Sequence, residues 1–202
     1  MNVGVVASGA GTNLQALIDR AHGHAGVKLV AVASDKLEAR AVARARQAGI
    51  AAETFPRAGF ADRRARDAAM AEWLRGRGVE LVVLAGYLQL LSPEFLATFP
   101  DKVINVHPAL LPAFPGLQAV QQSIDYGVKV FGVTVHFVDG GVDSGPVILQ
   151  RALEQPEARN SREVLERLHP IEHDLLVEAV RLLAAGAVSF DPGNPRRVVI
   201  AR

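Results

Sequence analysis

Short runs of Val, Leu and Ala alternate with longer amphipathic stretches through the first half of the chain. Residues 3–7, 27–33 and 79–85 carry little polar alternation, as strands buried on both faces do. Between them, residues 13–20, 38–48 and 61–75 are dense in Ala, Arg, Leu and Gln and read as helices. Ser92 is a good N-cap for a helix over 93–99, and residues 103–107 make a further strand. Alternation at this spacing predicts an α/β fold. It is a Rossmann-like, mainly parallel twisted sheet, joined by right-handed crossovers and flanked by helices.

The pattern changes after Pro108. Residues 108–116 hold Pro112, Pro115 and Gly116 and should be an irregular loop. Residues 130–138 alternate in part, and 146–153 form another apolar run, so the two predict an antiparallel extension of the sheet in the C-terminal part. Residues 161–185 are amphipathic, with Ser161 and Glu163 near the start and Gly186 after the end, which predicts a long helix. The Val-Val-Ile run in the tail, residues 192–202, reads as an edge strand. With no repeat and no linker-like change of composition, residues 1–202 read as a single domain.

Composition narrows the functional classes. The chain has 202 residues, half of them hydrophobic, which suits a globular protein with a sizeable core. Its 22 Lys and Arg against 21 Asp and Glu leave a net charge of +1, so no basic field is available to track a phosphate backbone and no nucleic acid partner is expected. There are no cysteines, which excludes disulfides, thiolate metal sites and a cysteine nucleophile. The amino terminus has no basic leader and no apolar run approaches membrane-spanning length, so a cytoplasmic protein without a membrane partner is expected.

Three segments can carry chemistry. The turn Ser8-Gly9-Ala10-Gly11-Thr12-Asn13 lies between the first strand and the first helix. Its glycines serve either tight turn geometry alone or an anion held by backbone N–H groups and the helix dipole. The spacing matches neither the dinucleotide fingerprint nor a Walker loop, although Asp35 stands where a ribose-binding acid would. Asn105 and His107 stand two apart at a strand end, so both can face one small group. Either they close and pack under the Pro-rich loop, or they donate hydrogen bonds to an oxyanion. Asp143 lies in the turn Asp139-Gly140-Gly141-Val142-Asp143-Ser144-Gly145. It either satisfies turn donors or sits by His107, favouring its protonated form and holding a proton-relaying water.

Other signals are weaker. His136 reads as a core residue or a pocket wall, and Glu172 and His173 as pocket-lining or solvent-facing. His169 and His173 have the i, i+4 spacing of a metal pair, but with no third ligand nearby no metal is expected. The charges from Arg63 to Arg66 read as a solvated helix face.

Taken together, SGAGTNLQALID, LAGYLQLLSPEFL, INVHPALLPAFPG and VTVHFVDGGVDSGPVILQ resemble the phosphoribosylglycinamide formyltransferases, a folate-dependent family of purine biosynthesis. Order and spacing agree over about residues 1–185. The resemblance implies a catalytic trio of Asn105, His107 and Asp143. It implies ribonucleotide binding by Gly11, Thr12, Asn13, Gly86, His169 and Glu172. It further implies 10-formyltetrahydrofolate as co-substrate, held by Arg63, Leu88, Gln89, Leu90, Leu91, Asn105, Asp139, Gly140, Gly141, Val142 and Asp143. The implied partners are these two small molecules, and the implied assembly is a monomer or homodimer.

Four positions depart from the family pattern. Gln89 replaces a frequent Arg, Ala109 and Gln118 replace a more usual Ser and His, and His169 stands where Gln is common. The first weakens a charged contact to folate, and the last makes a phosphate contact pH-dependent. The competing enzyme readings are a methionyl-tRNA or sugar-amine formyltransferase, which for tRNA usually carries an added basic C-terminal domain, and a formyltetrahydrofolate hydrolase, which generally carries an N-terminal regulatory domain. A non-catalytic nucleotide-binding module would use only the first turn and be indifferent to His107.

Overall fold

The computed structural model describes residues 1–201; Arg202, the end of the tail read as an edge strand, lies outside them. The chain divides into two compact units, Met1–Asn105 and Val106 onward.

The first unit is a parallel sheet with helices. Its strands are β1 (Asn2–Val6), β2 (Lys28–Ser34), β3 (Ala51–Thr54), β4 (Leu81–Leu84) and β5 (Val103–His107), in the order β3-β2-β1-β4-β5. Every described pairing in it is parallel. Val3, Val5, Leu81, Val82 and Val83 are buried, so the near-continuous apolar runs of β1 and β4 belong to strands covered on both faces. The helices are α1 (Thr12–Arg20), α2 (Arg40–Gln47), α3 (Arg63–Gly76) and α4 (Pro93–Thr98). Leu14 and Leu17 give α1 its buried stripe, and Met70 and Leu74 give α3 its own. Asp62 caps α3 by accepting from Ala65 N at 2.8 Å, and Ser92 caps α4 from Phe95 N at 3.2 Å.

The strand order reverses at β1. From it the chain builds outward through β2 and β3, then returns to add β4 and β5 on the other side. Such a switch point opens a crevice beyond the carboxyl ends of the two central strands, where ligands of open parallel sheets collect. The turn after β1 and residues 85–92 after β4 occupy it.

The second unit holds helix α5 (Ala119–Tyr126), strands β6 (Val130–Phe137) and β7 (Val147–Glu154), helix α6 (Ser161–Ala184), and strands β8 (Val188–Asp191) and β9 (Asn194–Ile200). β6 and β7 pair antiparallel, as the alternation predicts, with an irregularity between Val135 and His136. β8 and β9 form a hairpin, and β9 also touches β7 at Val147↔Arg197. Helix α6 packs on β6 and β7, and its Leu168, Leu175, Leu176 and Val180 are buried. Asn160 caps it, accepting from Glu163 N at 3.0 Å. No helix among the described residues is long and apolar enough to cross a membrane.

Three elements have no counterpart in the sequence pattern. β3 is four residues, exposed and half-buried in alternation, and exists through its pairing with β2. α5 lies behind the Pro-rich loop and is only eight residues long. β8 is ordered by its partner β9. β3 draws on a strand some way back along the chain and β8 on its hairpin partner more than on its own periodicity.

Candidate active site

In the first unit, the turn after β1 is built around Gly11, whose φ of 69° is left-handed. A Cβ there would sit 2.8 Å from Ala41 Cα and 2.9 Å from Ala41 Cβ, so the close approach of α2 admits only glycine. Gly11 is also the N-cap of α1 and brings no side chain to its first N–H groups. Thr12 is exposed and Asn13 buried. The turn is tied to the β4 loop by Ser8, whose N donates to the Gly86 carbonyl at 3.1 Å and whose Oγ accepts from Leu88 N at 3.1 Å. Gly11, Thr12, Asn13, Gly86 and Leu88 therefore gather at the switch point, an arrangement that a small anionic ligand can use.

Leu88, Gln89 and Leu90 are exposed and Leu91 half-buried. Arg63 is exposed at the first turn of α3. The solvated-face reading of residues 63–66 fails at Arg66. That side chain is 3% exposed, and its Nε and Nη2 donate to Asp67 Oδ1 at 2.9 and 2.7 Å. The helix turns Arg66 inward, and a neighbouring carboxylate offsets the buried charge.

In the second unit, β5 ends on His107, two residues past Asn105 on the same strand. The His107 ring is buried, with Nδ1 3.3 Å from Asp143 Oδ2 and Nε2 donating to the Phe114 carbonyl at 2.8 Å. Asp143 also accepts from Gly116 N at 2.8 Å, and its Oδ1 lies 3.5 Å from His136 Nε2. His136 Nδ1 lies 2.8 Å from the Phe137 carbonyl. His107 and Asp143, read from the sequence as possible neighbours, are thus in contact, and His136 joins them. Its signal was weak because an apolar strand can bury a histidine for packing alone.

The Asp143 turn is tightly built. Asp143 has a φ of 47°, a left-handed conformation that Asp tolerates better than most residues. A Cβ on Gly145 would overlap the Phe137 carbonyl. Asp139 is committed to the turn, accepting from Gly141 N at 3.0 Å and from Ser144 Oγ at 2.6 Å. Gly140, Gly141 and Val142 are exposed at its tip.

The loop over residues 108–116 is irregular, as predicted, and contains a cis Leu111–Pro112 bond. A buried hydroxyl fastens it. Thr134 Oγ1 donates to the Ala109 carbonyl at 2.7 Å and accepts from Leu111 N at 3.1 Å, and Gln150 Nε2 donates to the Leu111 carbonyl at 2.8 Å. Thr134 and Gln150 were not singled out in the sequence; on paper they are ordinary strand residues. On α6, Glu172 is buried, and His169 lies over His173 with ring centroids 6.5 Å apart. Gln118 is the left-handed N-cap of α5. Among the described residues, no group of three or more His, Asp or Glu is arranged to hold a metal ion.

Electrostatics give the two partners different roles. Burial raises the Asp143 carboxyl, but the His136 and Gly116 hydrogen bonds and the His107 and His136 rings outweigh it and lower its pKa to about 2. Burial also dominates at His107 and lowers its pKa; the Phe114 carbonyl and Asp143 oppose this, and His136 adds to it. Asp143 does favour the protonated ring, as its charge implies, but desolvation exceeds the attraction of this one carboxylate and the net proton affinity of the ring falls. Since the folded ring binds its proton more weakly than the unfolded one, the unfolded state takes up that proton first as pH falls. Stability from this group is present above the ordinary histidine pKa and is lost as pH drops through the lowered value. Accordingly, the fall of Tm between about pH 7 and 5 should be shallower in His107→Gln than in the wild type. Equal slopes in thermal denaturation would contradict the lowered value.

Residues 1–180 match the family model described as formyl transferase. The chain is 38% identical to the phosphoribosylglycinamide formyltransferase of Bacillus subtilis (strain 168) over 180 residues, covering 89% of this chain and 92% of that protein. It is 40% identical to the enzyme of the same name from Mycobacterium tuberculosis over 185 residues, covering 92% and 86%. The crystal structure of glycinamide ribonucleotide transformylase 1 from Symbiobacterium toebii superposes with a TM-score of 0.95 at 44% identity, covering 100% of this chain and 94% of that one. A match over most of the length, at these identities and with this fold, has one meaning: the chain belongs to the formyl transferase family.

Proposed function

We propose that this chain transfers the formyl group of 10-formyltetrahydrofolate to the amine of 5-phosphoribosylglycinamide, giving formylglycinamide ribonucleotide and tetrahydrofolate in purine biosynthesis. The observation that carries the catalytic part is the contact of His107 Nδ1 with Asp143 at 3.3 Å, directly beyond Asn105. Names and identities of the relatives support the substrates.

The amine lone pair attacks the formyl carbon, and the carbonyl π electrons move onto oxygen. The Asn105 amide donates to this oxygen. His107 also donates to it, through the Nε2–H that otherwise meets the Phe114 carbonyl. Each well-placed donor is worth roughly 3–4 kcal/mol when it meets charge that exists only in the transition state. Growing negative charge on the oxygen raises the affinity of the ring for a second proton, which Nδ1 takes from solvent, and ionised Asp143 beside Nδ1 stabilises the resulting imidazolium. One proton leaves the attacking nitrogen and one reaches N10 of the folate, through water held by Asp143. As the oxygen lone pair re-forms the carbonyl, the bond to N10 breaks with its electrons going to that protonated nitrogen, and His107 returns its extra proton to solvent.

Gly11, Thr12, Asn13 and Gly86 hold the ribonucleotide, together with His169 and Glu172. Arg63, residues 88–91 and the turn 139–143 hold the folate. The mechanism requires no metal. The same reading takes the chain as one formyltransferase domain acting in the cytoplasm, as a monomer or homodimer.

The test is an assay of purified protein with both substrates, which should be consumed in equal amounts. Asn105→Ala should lower kcat by about 10²-fold with circular dichroism unchanged. Failure of the wild-type protein to consume the amine would overturn the assignment, and consumption of formylfolate alone would mark a hydrolase.

A further inference from the structure

Residues 85–92 leave β4 without regular structure, yet they are held at both ends. At the near end Ser8 grips the Gly86 carbonyl and Leu88 N. At the far end Asp67 Oδ2 accepts from Ser92 N at 2.7 Å, from a side chain that is completely buried within α3. Ser92 then turns its own hydroxyl to Phe95 N and starts α4. The other oxygen of Asp67 holds both Arg66 donors. Between the clamps, the Tyr87 phenol has its pKa raised, chiefly by burial; Arg66 opposes the rise and Asp67 adds to it, which places Tyr87 beside the same pair. Leu88 and Leu90 remain 54% exposed each. A slack loop would fold two leucines inward; tethering at both ends keeps them presented to a ligand.

We infer that Asp67 is a positioning residue, which holds the far end of this loop from within α3 and so shapes the surface of residues 88–91 that takes formylfolate. This rests on the reading of the substrates above. Asp67 touches neither substrate; it acts through Ser92.

The experiment removes the anchor without stranding a buried charge. Arg66→Leu/Asp67→Asn and Arg66→Leu/Asp67→Ala both lack the ion pair, but only the first retains a side-chain oxygen for Ser92 N. The KM for 10-formyltetrahydrofolate should be about tenfold higher in the alanine protein than in the asparagine protein, a cost typical of small displacements of a binding surface. The KM for the ribonucleotide should be the same in both, since loss of folded protein lowers apparent kcat and leaves KM unchanged. Equal formylfolate KM values would overturn the inference.

Should the alanine protein not fold, Asp67→Glu alone gives the decision. Its longer arm keeps the charge but moves the anchor, so the formylfolate KM should rise while the ribonucleotide KM holds. If wild-type protein transfers no formyl group, the functional reading fails. Hydrogen exchange then tests the anchor itself: the Leu88 and Leu90 amides should exchange faster in the alanine or glutamate protein, and unchanged rates would overturn it.

Discussion

Replacing His107 with alanine is expected to lower kcat by about 10²- to 10³-fold, the cost of deleting one donor to a developing oxyanion. The protein should remain folded. Its ring is buried, but Asp143 retains Gly116 N and His136, and residues 108–116 retain Thr134 and Gln150. KM for both substrates should change little, because the lost interaction belongs to the transition state and not to ground-state binding. Steady-state kinetics with circular dichroism on the same samples gives the answer. Near-wild-type kcat in folded His107→Ala would remove imidazole from the mechanism.

The largest stability effect is expected at the other charged pair. Asp67→Ala with Arg66 intact leaves a guanidinium buried without its carboxylate and Ser92 N without its acceptor. Breaking a buried pair on one side costs roughly 3–5 kcal/mol, a large share of the stability of an ordinary domain. Urea denaturation should show the midpoint falling at nearly constant m. Arg66→Leu/Asp67→Asn should recover most of the loss, because no charge is left unpaired and Ser92 keeps its hydrogen bond. A single Asp67→Ala protein as stable as the wild type would mean that water reaches Arg66.

These two residues were unequally legible. His107 stood out because a histidine at a strand end, two positions from an asparagine and ahead of a Pro-rich loop, is an unusual arrangement of chemical groups. Asp67 did not, since its neighbours are arginines and such a run reads as a solvated helix face. Whether a charged residue on a helix points inward depends on what lies beneath it. Here that is the backbone of Ser92, 25 residues away. His136 was legible only as an alternative between core and pocket; it is buried, with Nε2 3.5 Å from Asp143 Oδ1.

By itself the sequence determined the alternation of buried strands and helices, the antiparallel pair near the C-terminus, the long final helix and the glycine turn. These follow from the local pattern of apolar side chains and from backbone conformations that few residues allow. Its motifs also carried the family resemblance. Only the tertiary structure decided β3, α5 and β8, the inward turn of Arg66, the anchoring of residues 85–92, and the lowered proton affinity of His107. Apart from β8, which a hairpin partner just beyond it in the chain orders, these depend on groups brought together from separate segments: pairing, desolvation and the distance between charges act through space, and the order of residues along a chain does not contain them.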